Sequence, residues 1–236
     1  MNNSDKGDFY FGISENKVFI CFFEKKKDYL KKYIDFEIPE TLNNNLNFKI
    51  ISNLLKNNIR KLEKSLGIFL TNGNVSIKSK TNQSILLSIK NIFDEKKLDE
   101  NIISKLVQSG IKYFNTYDKK LLIIHVIINK YIIDGKSYNF LPHNIKFKNI
   151  ILELEFICLD KNLVTKIKRL FTECGININK IVSYEYAKKF LKAEKDITLC
   201  LSAKEVINGA NYSEVKIQEE PDKKTSIFNK IFNVFD

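Results

Sequence analysis

A chain of 236 residues with 44% hydrophobic and 28% charged residues has length for one large domain or two small ones, and its composition excludes disorder over most of that length. The net charge is +11, yet Arg60 and Arg169 are the only arginines among 39 basic residues. Spread lysine gives solubility and a weak pull toward anionic surfaces rather than the planar, bidentate forks that read phosphates and bases.

In chain order, Asp8 to Glu24 (DFYFGISENKVFICFFE) reads as two strands joined by a turn at Ser14-Glu15-Asn16, because aromatic and β-branched residues crowd both sides. A third strand follows over Tyr29 to Ile38, then a loop through Pro39 and TLNNNLN. Phe48 to Leu66 has helical spacing, with Ile51, Leu54, Leu55, Asn58, Leu62 and Leu66 on one stripe and Gly67 at its C-terminus. Ile68 to Ile77 and Ser84 to Ile89 are expected strands bounded by turn residues. A helix over Leu98 to Ser109 is expected to present Leu98, Ile102, Leu106 and Ser109, and to close at Gly110.

The run LLIIHVII from Leu121 is too short to tell strand from buried helix by period, and its β-branching decides for strand. Asp134-Gly135 is a hairpin turn signal, because both residues tolerate positive φ. Asn149 to Leu159 gives another strand, and Asp160 caps a helix with Leu163, Ile167, Leu170, Phe171 and Cys174 inward, ended by Gly175. A strand over Ile176 to Val182, a short helix over Tyr184 to Lys192 and a helix capped by Asp196 complete the body. That last helix turns Leu199, Cys200, Ala203, Val206 and Ile207 inward and ends at Asn208-Gly209. Residues 216–226 form a polar linker with Pro221. On a helix over 227–236, Ile227, Phe228, Ile231, Phe232 and Phe235 share one face, with Lys223, Lys224 and Lys230 nearby; this suits an anionic bilayer surface.

Cys21, Cys158, Cys174 and Cys200 include no C-x-x-C pair, which suits reduced, mostly buried thiols, and neither His125 nor His143 stands at ligand spacing from a cysteine. No metal site is expected. The polar start MNNSDKGD is not a signal peptide, and the Leu121 to Ile128 run is far short of the about 20 residues that span a bilayer. For His125, no serine, cysteine or carboxylate is placed with it in sequence, so a strand histidine satisfied by a neighbour is preferred to a general base.

The stretch IIHVIINKYIIDG with the later proline resembles the inserted subdomain of FtsA, the actin-like cell-division family: His125, Val126, Ile127, Tyr131, Asp134, Gly135 and Pro142 match. The long strand after it, the helix ending in Cys174-Gly175 and the strand into YEYAKKFL are also similar. The resemblance implies an α+β fold: a partial actin-like (ribonuclease H-like) subdomain, an inserted strand–helix–strand–strand subdomain and a C-terminal amphipathic helix. It divides the chain into 1–82 (first part of the actin-like subdomain), 83–182 (insert), 183–215 (return to the actin-like subdomain), 216–226 (linker) and 227–236 (tail helix).

Departures from the family bear on activity. Tyr10 stands where the family's phosphate hairpin carries aspartate, and the eight glycines include no adjacent pair. Clustered glycines are what let a backbone approach phosphates. A second actin-like half, which in the family holds the FtsZ-binding face and half the nucleotide cleft, is not recognised in the sequence. The expectation is a non-enzymatic FtsA-like division protein without cofactor, a peripheral protein on the cytoplasmic face of the cell membrane at midcell. It would tether or organise division proteins there and self-associate; direct FtsZ binding is left open. Two alternatives stand beside it: a PilM-like assembly-platform component, and a basic nucleic-acid-binding protein. The shortage of arginine and the lack of a concentrated patch weigh against the latter.

Overall fold

The computed structural model describes residues 7–25, 29–39 and 48–215, so the expected linker and tail helix lie outside the described residues. The first hairpin is as expected: β1 (Gly7–Ile13) and β2 (Lys17–Glu24) pair antiparallel, and β3 (Tyr29–Glu37) adds to β2. The helix α1 (Phe48–Leu66) then leads to β4 (Asn72–Ile77), which returns parallel to β1.

Two long strands and a helix follow: β5 (Gln83–Lys97), α2 (Glu100–Tyr117) and β6 (Leu121–Ile133). The Asp134-Gly135 turn, both residues at positive φ, joins β6 to the short β7 (Lys136–Tyr138). After β8 (Lys146–Asp160) and α3 (Lys161–Glu173), β9 (Asn177–Ser183) pairs parallel with β4. The helices α4 (Tyr184–Phe190) and α5 (Asp196–Asn208) precede a two-residue strand, β10 (Glu214–Val215), on the edge of β6.

The strands form two five-stranded sheets. The first has the order β3-β2-β1-β4-β9; the second has β10-β6-β8-β5, with β7 on β6. The fold is α+β, and β5, α2, β6 and β8 form a strand–helix–strand–strand unit within the second sheet. Sheet membership cuts across the expected segments. β9 lies within 83–182 yet belongs to the first sheet, and β10 lies within 183–215 yet belongs to the second.

Both faces of the first sheet are covered. Phe9, Phe11, Ile13, Ile20 and Phe22 pack under α1 and α3, with Phe11 edge-on to Phe171 at 4.9 Å. Tyr10, Phe19, Cys21 and Phe23 pack on the other side against α4 and α5. Such double burial is why β2 reads as an unbroken apolar run. One face of the second sheet lies under α2, with Leu152, Leu154 and Phe156 against Leu106, Val107 and Phe114.

Three sequence expectations change. Gly110 does not close α2, which runs on to Tyr117; it sits where a Cβ would lie 2.9 Å from Leu154 and 3.0 Å from Ile89, so its missing side chain brings the helix close to the sheet. The buried face of α2 is accordingly Ile103, Leu106, Val107, Gly110 and Phe114 rather than the expected stripe. Asp196 does not cap α5; it occupies the first turn, and its carboxylate is taken by Lys17 and Tyr33. Cys21 and Cys200, expected as reduced thiols, form a disulfide between β2 and α5, because both point into the same buried layer. Cys158 and Cys174 are free thiols; burial pushes the Cys158 thiol up to about 12.

Candidate functional site

In open sheets built from parallel strands, ligands collect at the carboxyl ends of those strands. Here β1, β4 and β9 end together at Ile13, Ile77 and Ser183. The β1–β2 turn beside them is closed by Ser14, whose hydroxyl donates to the Lys17 carbonyl at 3.0 Å.

At this end the hairpin's own glycine and lysine, Gly12 and Lys17, are both committed to contacts within the protein, while Lys78 at the end of β4 lies over the Tyr184 ring at 5.5 Å. Gly12 faces α5, and a Cβ placed on it would fall inside the ring of Phe19, its cross-strand partner. The absent side chain therefore makes room for a phenylalanine. Tyr10 is buried edge-on to Phe23 at 5.5 Å. The Lys17 ammonium lies 2.7 Å from both Asp35 and Asp196, and Tyr33 donates to the same Asp196 oxygen at 2.9 Å. The Lys17 hydrogen bonds to Asp196 and Asp35 raise the lysine above its ordinary range, and the same lysine holds the Asp35 carboxyl below its own. An arriving phosphate would meet two carboxylates.

The second constellation is the seam between the sheets, and His125 is its centre. A strand histidine 4% exposed has to satisfy both ring nitrogens. The Ser183 N–H donates to Nε2 at 3.0 Å, which leaves the proton on Nδ1 to be donated to Glu214 at 2.6 Å. The Tyr186 ring packs tilted against the imidazole, with ring centres 4.4 Å apart, and donates its hydroxyl to the other Glu214 oxygen at 2.8 Å; Asn211 donates to that hydroxyl at 2.6 Å. Burial pushes the Tyr186 phenol above its ordinary range. This network ties β6 to the end of β9, to α4 and to β10. The Ser183 hydroxyl accepts from the Tyr186 N–H at 3.3 Å, and together these bonds clamp the two sheets.

The remaining matched residues lie in and around the β6–β7 hairpin and the loop after it. Tyr131 is half-buried opposite Tyr138, and burial raises its phenol. Asp134 accepts from the Asn149 N–H at 2.8 Å and the Lys148 N–H at 3.2 Å, so the hairpin turn is fastened to the start of β8. Gly135 has φ 82°, and Pro142 lies in the loop between β7 and β8. Sequence reasoning missed Glu214, Tyr186, Ser183 and Asn211. Nothing in their spacing relates them to His125; only the path of the chain back to β6 does. The expected lipid-contacting residues Ile227, Phe228, Ile231, Phe232, Phe235, Lys223, Lys224 and Lys230 lie outside the described residues.

One apolar surface not covered by the described chain is on the second sheet. On the face of the second sheet away from α2, Ile127 and Ile157 pack against α4 and α5, but farther out the face is open. Leu86 is 73% exposed and Ile92 65%. Beside them lie Glu153 and Glu155 of β8, and Lys130 of β6 opposite Glu153. Among the described residues β5 pairs with β8 alone, so its outer edge is unpaired. Among the described residues no helix is long and apolar enough to cross a membrane, and no group of three acidic, histidine or cysteine side chains is placed to hold a metal.

No protein-family model matches the chain, and no curated protein matches it either. Among solved structures it is similar to a chain of a PilM–PilN type IV pilus biogenesis complex, with TM-score 0.50 and 8% identity over 80% of this chain and 50% of that one. It also matches the cytoplasmic domain of EpsL, an inner membrane component of the type II secretion system of Vibrio cholerae (TM-score 0.39, 6% identity, 76% of this chain and 58% of that one). A third match is a Bacteroides thetaiotaomicron protein with an actin-like ATPase fold and unknown function (TM-score 0.34, 12% identity, 80% and 58%). At such identities the likeness is one of fold, and the chain spans about half the length of the pilus-complex chain it matches.

Proposed function

We propose that this chain is a non-enzymatic scaffold of a membrane-associated assembly, in the manner of a PilM-like platform component. Its first sheet is a frame that binds no nucleotide, and its insert holds other proteins. The observation that carries this reading is the filled strand-end site: Phe19 over Gly12, Tyr10 turned into the core, and Lys17 held between Asp35 and Asp196. Support for the platform comes from the fold shared with a chain of the pilus biogenesis complex.

A second reading is an FtsA-like organiser of cell division, favoured by the matched residues His125, Tyr131, Asp134, Gly135 and Pro142. Nucleic-acid binding gains no support from the fold. Titration of the full chain with Mg·ATP, followed by calorimetry and thermal unfolding, tests the scaffold: no heat and no shift are expected, whereas saturable binding that an Asp35→Ala variant strengthens would overturn it. A fluorescent fusion then separates the two readings, since envelope foci fit a platform and a septal band fits division. Membrane fractionation with and without residues 223–236 tests the expected tail anchor, and equal membrane recovery of both forms would remove it.

A further inference from the structure

The free edge of β5 has a pattern that selects its own copy. Its pairing with β8 is regular from Gln83 to Ile92 and breaks at a bulge before Lys96, with Glu95 at φ 22°. A bulge ends regular pairing and is one device that limits edge association. The flat, available part of the edge is therefore about Gln83 to Ile92. Leu86, Ser88, Lys90 and Ile92 point to the open face, while Ile85, Leu87 and Ile89 point toward α2.

We propose that two copies of this chain associate through β5, antiparallel, about a two-fold axis at Ile89, so that the two insert sheets become one continuous sheet. An axis perpendicular to the sheet keeps each face on its own side, so it must pass through a residue rather than between two, and the candidates can be compared. An axis at Leu87 sets Leu86 against Ser88. One at Ser88 sets Leu86 against Lys90, and one at Lys90 stacks the two Lys90 ammonium groups. Only the axis at Ile89 sets Leu86 against the second copy's Ile92 on both sides of the dyad, and covers both exposed apolar residues in each copy.

The charges agree with this register. The second copy's Lys90 falls opposite Ser88, and Ser88 is opposite Glu153 in the β5–β8 register. A lysine stem crossing a serine brings its ammonium to a carboxylate that makes no ion pair with a described residue, whereas Glu155 is already bonded by Ser84 and Asn129. Seven paired residues span roughly 24 Å of strand. That is a small interface, so association is weak and concentration-dependent, and local crowding on an assembly strengthens it.

The full chain is tested by sedimentation velocity. A mass rising from 27.6 kDa toward twice that value is expected as concentration approaches about 1 mM, the weak end of specific binding. A strictly monomeric chain at that concentration overturns the proposal. Leu86→Lys and Ile92→Lys, at exposed positions that leave the core intact, should each raise the dissociation constant at least tenfold, and unchanged association sinks the edge assignment. Lys90→Glu should weaken the dimer, and adding Glu153→Lys should restore it.

Register is read by oxidative cross-linking. Directly opposed Cβ atoms lie about 4.5–5.5 Å apart, within reach of a disulfide, and diagonal neighbours about 7–8 Å apart are not. A mixture of Ser88→Cys and Lys90→Cys chains should cross-link, while each variant alone and the unmodified chain should not. Cross-linking of Ser88→Cys alone or of Lys90→Cys alone, or failure of the mixture to cross-link, overturns the axis at Ile89. Capture of a foreign extended segment at β5, with no self-association, overturns the second copy as occupant.

Discussion

The two sheets are built on the same number of strands and treated differently by the rest of the chain. The first is enclosed between α1 and α3 on one face and α4 and α5 on the other, and even its ligand-collecting end is filled by its own side chains. Among the described residues the second is covered by α2 on one face and leaves the outer part of the other, with a fifteen-residue edge strand, open. On the function proposed above, the enclosed sheet serves as the frame and the more open one as the surface for partners. Between them lies the His125 network, which makes the open sheet a fixed extension of the enclosed one.

The largest expected effects come from one aromatic in each core. Phe11→Ala, under α3, and Phe156→Ala, under α2, should each cost about 3–5 kcal/mol through lost burial and a residual cavity. Urea unfolding followed by both circular dichroism and tyrosine fluorescence should show one coincident transition in either variant. Two separated transitions would mean that the sheets are independent bodies, and the contrast would then be between two domains instead of two parts of one.

A somewhat smaller effect is expected at the seam itself. His125→Leu leaves the Ser183 N–H without its acceptor and one Glu214 oxygen without its donor, while Tyr186 still donates to the other, at a cost of about 3 kcal/mol. In a double-mutant cycle with Glu214→Gln the coupling should be about 1–3 kcal/mol, because the two side chains are in hydrogen-bond contact and His125 is buried. Amide exchange should quicken at the ends of β6 and β9 before it does in β1. Additive losses, with exchange unchanged at those ends, would show that apolar packing alone joins the sheets.

How far the sequence reveals this arrangement follows from where the determining contacts lie. Features set by neighbours in the chain were legible: the Ser14–Asn16 turn, α1 with Gly67 behind it, the Asp134-Gly135 hairpin and the Asp160 cap. Features set across the fold were not. Gly110 looks like a stop signal locally, and only Leu154 and Ile89, brought beneath it by the second sheet, turn it into a contact point. Asp196 has a cap's identity and position, but Lys17, 179 residues away, claims its carboxylate. Cys21 and Cys200 give no sign of pairing until α5 is laid on β2. His125 was legible as a satisfied strand residue; Glu214, which satisfies it, sits in a polar segment resembling the linker that follows.

The smallest expected effect separates two depressed carboxyls, one on each sheet. Asp134 is held below the ordinary carboxylate range first by the Asn149 N–H, and Asp35 by the Lys17 ammonium. Each folded-state pKa is lower than in the unfolded chain, so each contributes stability that is present above about pH 4 and is lost as pH falls through the folded value. Asp134→Asn and Asp35→Asn should therefore be less stable than the parent at neutral pH, with curves that converge on it in acid. Both groups are well exposed, so both effects are small. Salt tells them apart. The Lys17–Asp35 attraction acts between partly exposed charges and should shrink between low salt and about 0.5 M, while the backbone donors at Asp134 are fixed dipoles at hydrogen-bond distance and should lose little. If the Asp134→Asn deficit disappeared in salt as fully as the Asp35→Asn deficit, general attraction to the surrounding lysines would hold that carboxylate, and the hairpin's fastening to β8 would be far looser than its hydrogen bonds imply.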